Sequence, residues 1–285
     1  MTVPAPDVPK ESSRTILFQF VLFPLGIVCV GVAIFLLFGK LAGEHHAIPD
    51  YLNEIRSGSS HERWQAAYQL SKSLKRGEAK QYPNLEPEVA SIYQASKSDD
   101  PRIRQYLSMV LGTIGDRRAT PLLVEALNDS QTDSRIYAIL ALGELKDPVS
   151  VPPLLRMAHD GDRDVRKTAL YVLGEIHDPR AVETLAGALD DEAADVRWNA
   201  AVALSLFGDR RAAPVLRTML DRTMLDRVPG IREDQKEDAI VEALTVYPKL
   251  VGAEARPEIE RIAAGDPSLN VRAAAKQALS ALPPS

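Results

Sequence analysis

The sequence predicts an all-α fold, an α-solenoid of stacked helix hairpins plus one transmembrane helix. Three observations carry that prediction. Columns of residues recur at a step of 31 through the middle of the chain. Inside each copy the apolar residues fall at the spacing of a helix face rather than of a strand. Near the N-terminus, residues 16–38 form a run of 23 residues without a charged side chain. The background is an ordinary globular composition, with 285 residues, 45% hydrophobic side chains and a net charge of −5. That acidic balance argues against gripping nucleic acid, which needs a basic face. The single cysteine, Cys29, can form neither an internal disulfide nor a cysteine-based zinc site.

Residues 1–14 hold Pro4, Pro6, Pro9, Ser12 and Ser13 without an apolar period, and are expected to be a disordered tail. Residues 15–39 are expected to be the transmembrane helix. Its uncharged 23 residues, at ~1.5 Å each, reach roughly 35 Å, enough for a hydrocarbon core of ~30 Å. Five of the six phenylalanines, Phe18, Phe20, Phe23, Phe35 and Phe38, lie there. The run is longer than the apolar region of a cleaved signal peptide and is not followed by a small-x-small cleavage site. Lys10 and Arg14 precede it and only Lys40 follows closely. That bias puts the N-terminus inside and leans the remainder to the extracytoplasmic side of a single-pass membrane protein. Residues 40–60 read as a linker with a short helix, begun at Pro49-Asp50 and ended by Ser57-Gly58-Ser59-Ser60.

Residues 61–285 read as the solenoid. Arg104, Arg135, Arg166 and Arg197 are 31 residues apart, as are Asp116, Asp147, Asp178 and Asp209. Leu111, Leu142, Leu173 and Leu204 keep the step, and so do Leu123, Leu154, Leu185 and Leu216. Gly112, Gly143 and Gly174 agree, with Ser205 in the fourth copy. One copy runs Arg135, Ala138, Ala141, Leu142, Gly143, then Asp147-Pro148, then Val151 and Leu154. The glycine and the Asp-Pro pair stop one helix and start a second. A hairpin of this kind cannot bury its apolar face alone and must stack on its neighbours. Looser copies begin at Arg63, where Ser59 and Glu62 are spaced as a capping box, and near Glu237. A half copy from Arg272 closes the chain, for about seven units in all.

This pattern, over residues 59–282, resembles the HEAT-like repeat family in the short variety also found in phycobilisome lyases. The resemblance implies a right-handed, armadillo-type solenoid. It says less about function, because such repeats serve scaffolds and lyases alike.

The arginine column Arg104, Arg135, Arg166 and Arg197 reads as a repeat-stacking ladder, each guanidinium beside acidic groups of a neighbour. Asp133, Asp164 and Asp195, two residues before their arginines, are expected at the N-caps of the first helices and in that ladder. The turns between the two helices of a copy line one edge with Arg117, Arg118, Arg180, Arg210 and Arg211, candidate partner-binding residues that would meet an acidic partner or lipid phosphate. The opposite turns carry Asp129, Asp160 and Asp191. Trp64 and Trp198 share a column where other copies hold Gln105, Ile136 and Lys167, so they are candidate partner anchors. The most distinctive departure is a tandem repeat from Arg217 to Arg227, which makes the step from Arg197 to Glu237 40 rather than 31. An insertion in such an array emerges as a loop on one face, often the binding face, so Met224, Arg227, Ile231 and Arg232 join the candidate partner-binding residues.

Enzymatic readings rank below this one. His61-Glu62 is the only His-Glu pair at a helix start, and the di-iron site of HEAT-repeat deoxyhypusine hydroxylases needs several. No phosphate-binding loop, nucleophile elbow or zinc-protease motif is present. The expected function is therefore a membrane-anchored scaffold or adaptor, possessing no catalytic, cofactor or metal site and binding membrane-associated protein partners. The bilayer would be met through residues 16–38, and neither nucleic acid nor a small-molecule substrate is expected. The alternative is a bilin-lyase-like enzyme built on the same repeats.

Overall fold

The computed structural model describes residue 25, residues 28–34 and residues 47–282. Its contacts divide the chain into two units, Met1–Pro49 and Asp50–Ser285. In the first unit, Leu25 and residues 28–34 are helical with exposed side chains, Cys29 among them. The single-pass membrane placement is corrected here. Among the described residues no helix is long and apolar enough to cross a membrane. The rest of the run 16–38, the tail 1–14 and residues 40–46 lie outside the described residues.

In the second unit every described element is helical. After α1 (Ile48–Ser57) come α2 (Ser60–Ser73), α3 (Leu85–Ala95), α4 (Pro101–Ile114), α5 (Thr120–Ala126), α6 (Thr132–Leu145) and α7 (Val151–Met157). Then follow α8 (Arg163–Ile176), α9 (Val182–Gly187), α10 (Ala194–Leu206), α11 (Ala213–Met219), the short α12 (Arg222–Leu225), α13 (Glu233–Val251), α14 (Arg256–Gly265) and α15 (Leu269–Ser280). The long first helices α2, α4, α6, α8, α10, α13 and α15 pack each on the next and make one layer. The shorter second helices lie against them. This is the α-solenoid, and the core runs between the layers. Leu111, Leu142, Leu173 and Leu204 of the long helices are all 0% exposed, and so are Leu123, Leu154, Leu185 and Leu216 of the short ones. Each such leucine contributes about 1.5–3 kcal/mol relative to an exposed one.

Local chemistry fixes the helix ends. The capping box at Ser59 is present, with the Ser59 amide donating to Glu62 Oε2 at 2.7 Å. Asp116, Asp147, Asp178 and Asp209 each accept from the backbone N–H two residues on, at 2.9–3.1 Å, and start a single 3₁₀ turn. That turn leads into the second helix, whose first turn in three of the four copies holds Pro121, Pro152 or Pro214, positions where a missing N–H costs nothing. The column glycines allow close helix approach. A Cβ at Gly112 would lie 2.9 Å from Ala141 Cα, and one at Gly174 would lie 2.7 Å from Ala203 Cβ.

Expectation and structure differ over the first-helix caps. The N-caps are Gln131, Asp162 and Ala193, so Asp133, Asp164 and Asp195 sit inside the first turn. An acidic side chain there still meets the positive end of the helix dipole, which is why it keeps the repeat without capping.

Candidate functional site

The arginine ladder is built from the loops. Arg63 meets Asp99 at 2.6 Å, Arg104 meets Asp129 at 3.0 Å and Arg135 meets Asp160 at 3.2 Å. Arg166 holds Asp191 with two bonds, Nε to Oδ2 at 2.9 Å and Nη2 to Oδ1 at 3.0 Å. In the regular copies the partner lies 25 residues ahead, in the loop after the second helix. The ladder acids are thus Asp129, Asp160 and Asp191 and not Asp133, Asp164 and Asp195. Asp164 instead pairs with Lys167 at 2.8 Å, and Asp195 with the same lysine at 3.6 Å. In Arg135, Arg166 and Arg197 the Nη1 is tied to the arginine's own loop, as where Arg166 donates to the carbonyls of Asp160 and Gly161 at 3.0 and 3.3 Å, whereas Arg104 uses its Nη1 on Asp129. Burial pushes the Asp191 carboxyl up, but the bonds from Arg166 and the Ala193 amide outweigh it and hold the group below its ordinary range.

The ladder is interrupted once within the regular copies. The residue 31 after Asp191 is Arg222. Arg197 keeps the loop anchor, with Nη1 donating to the carbonyls of Asp191 and Glu192 at 2.7 and 3.0 Å, but makes no ion pair among the described residues. Arg222 faces onward: it holds Asp266 through Nε and Nη2 at 2.7 and 2.9 Å and also pairs with Glu233. The tandem insertion is therefore anchored at its start, and Leu225 next to it is 1% exposed.

A groove of about 680 Å³ opens where the ladder breaks. Trp198, Met224 and Arg227 all line it, so three of the residues picked from the sequence converge. Its walls are apolar, from Leu189, Pro214, Val215, Val228 and Pro229. Arg163, Arg197 and Arg227 bring three guanidinium groups to it, against the single carboxylate of Glu192. Arg227 is exposed and makes no ion pair among the described residues. Met224 is 42% exposed.

The other predicted residues lie elsewhere. Ile231 and Arg232 are not among the groove residues, and Arg232 pairs with Asp234 at 2.9 Å. Trp64 packs under Arg102, 4.1 Å from its ring centre, and edge-on to His61. The arginine edge is exposed but engaged. Arg118 pairs with Asp116, Arg180 with Asp178, and Arg211 with Asp209, each at 2.6–2.7 Å. Arg210 pairs with Glu254, and Arg117 donates to the Lys146 carbonyl. The Arg180 guanidinium holds the Asp178 carboxyl down to about 2. This edge presents capped turns rather than a free basic row.

Sequence reasoning missed a row of half-buried tyrosines on α2, α4 and α6. The rings of Tyr68 and Tyr106 lie 5.1 Å apart, and those of Tyr106 and Tyr137 5.9 Å apart. Tyr106 and Tyr137 do obey the 31-residue step, which was the available signal.

With this geometry in hand, comparisons agree on the architecture. The family model described as HEAT repeats matches residues 89–171 and 156–233. No curated protein matches the chain. Among solved structures, the chain is similar to the complex of CpcE and CpcF of phycocyanin lyase from Nostoc sp., with 18% identity and a TM-score of 0.57 over 83% of this chain and 88% of that one. It is also similar to the Escherichia coli protein YibA, with 18% identity and a TM-score of 0.53 over 85% of this chain and 84% of that one. At this identity the likeness is one of fold. The repeat columns, the stacked hairpins and a family match spanning residues 89–233, half of the sequence, lead to one assignment: the chain belongs to the HEAT-repeat family.

Proposed function

We propose that this chain is a scaffold that binds a protein partner in the groove beside Trp198, without catalysis of its own. The observation that carries the reading is a coincidence of three departures from the repeat. The ladder loses its carboxylate, the insertion enters, and an aromatic replaces the usual column residue, all around one groove. A half-buried tryptophan ringed by apolar walls and arginines has the make-up of a binding hot spot. The rigid stack on either side keeps that surface formed before binding, which lowers the ordering cost. The assembly of CpcE with CpcF supports a protein-binding use of the same architecture.

The test is site-specific photocrosslinking in cells with the full chain. A benzophenone side chain at Met224 should give a discrete adduct with one protein. The same group at Val149, 69% exposed on a turn far from the groove in sequence, should not. No adduct at Met224, or the same adducts from both positions, would overturn the proposal.

A further inference from the structure

We infer that the groove recognises a carboxylate on its partner: an Asp or Glu side chain flanked by apolar residues, in a peptide segment laid along Trp198. This deepens the scaffold reading and rests on it. Arg166 divides its guanidinium in two. Nη1 is fixed on loop carbonyls, and the Nε–Nη2 edge holds both oxygens of Asp191. Arg197, one repeat on, has the same Nη1 anchor on its own loop, at 2.7 and 3.0 Å. Its Nε–Nη2 edge makes no hydrogen bond among the described residues, because position 222 is arginine where the earlier copies have aspartate.

Arg197 is therefore a positioned half of a fork that Arg166 closes on both oxygens of Asp191, and that Arg135, with the same Nη1 anchor, closes on Asp160 through Nη2. Anchoring already limits the side-chain freedom that binding would otherwise remove. Arg227 and Arg163 add positive charge at the same groove, and Arg163 has only a distant carboxylate, Asp195, at 3.9 Å. Trp198, Val215 and Val228 supply apolar contact beside the fork. A carboxylate set among apolar side chains fits both halves of this surface. The pocket at Arg118 offers no comparable site, since that guanidinium is already paired with Asp116 and Glu86.

A randomised twelve-residue peptide library, selected on the full chain, tests the inference. Selected peptides should be enriched in Asp or Glu next to apolar residues. Their affinity should fall at least ~10-fold on replacing the acid by its amide, as expected for loss of a charge-assisted bond. Arg197→Gln should weaken binding to a similar degree. So should Arg227→Glu, whose parent side chain is exposed and unpaired, so that the variant keeps the fold; its unchanged melting temperature is the control. Selection without acidic enrichment, or acidic peptides that bind both variants as they bind the parent, would overturn the inference. If that happens while the Met224 crosslink persists, the scaffold reading stands and only the carboxylate is wrong. Loss of the crosslink itself would remove both.

Discussion

Arg166 and Arg197 hold the same place in successive repeats, yet their environments predict different responses to truncation. Arg166 is 9% exposed and closes on Asp191 with two bonds. Arg166→Ala strands that carboxylate in a partly buried loop and should cost about 2–4 kcal/mol in denaturant titration. Arg197→Ala breaks only bonds to two loop carbonyls and strands no carboxylate, and should cost about 1 kcal/mol. Equal losses would mean that the ladder carboxylates do not hold the repeats together. The same carboxylates set the acid limit. Asp178 is held down to about 2 mainly by its bond from Arg180, and Asp191 and Asp266 are also lowered against the opposing effect of burial. A carboxylate with a lowered folded pKa stabilises the fold fully above its unfolded value of ~3.9, and that contribution is lost as pH falls through the folded value. Thermal stability should therefore decline between about pH 4 and pH 2. A melting temperature that is flat across that window would contradict these assignments.

At the scale of the element, glycines in similar helices should behave in opposite ways. Gly112→Ala gains up to ~1 kcal/mol of helix propensity but drives a Cβ to 2.9 Å from the Ala141 backbone. The clash dominates, and a net loss of about 1–3 kcal/mol is expected by thermal or chemical unfolding. Gly187, at the end of α9, has nothing within 4 Å of its added Cβ, so Gly187→Ala should be neutral or stabilising. A tolerated Gly112→Ala would show that α4 and α6 do not pack this closely. Helix existence was readable from the sequence because Arg-x-x-Ala-x-x-Ala-Leu-Gly states the buried face, but its glycine is a close-packing residue inside the helix and not the stop, which falls two residues later. The starts were read two residues late, because first-turn acids such as Asp133 and Asp195 imitate caps. Two stops were also hidden: Lys146 and His177 adopt the left-handed cap at φ 45° and 58°, where a glycine would have announced it.

Across the whole molecule, the 31-residue step made the stack legible, since columns of leucine at one period leave little choice but hairpin on hairpin. The break in the stack was legible only in part. The tandem Thr-Met-Leu-Asp-Arg copies marked the insertion, and Trp198 stood out in its column. That they meet depends on Arg222 reaching Asp266, 44 residues on, and no local pattern encodes that contact. The arginine edge makes the same point: composition shows the charges, but only geometry shows that Asp116, Asp178 and Asp209 pair with Arg118, Arg180 and Arg211. The expected membrane span does not appear among the described helices, and the proposed binding role rests on the solenoid. Hydrogen–deuterium exchange of the full chain, with and without the protein that crosslinks through position 224, tests that role most directly. The account predicts slowed exchange in residues 189–198 and 214–229 on adding the partner, with the repeats of α4 and α6 unchanged. Protection elsewhere in the stack, with those two segments unaltered, would contradict it.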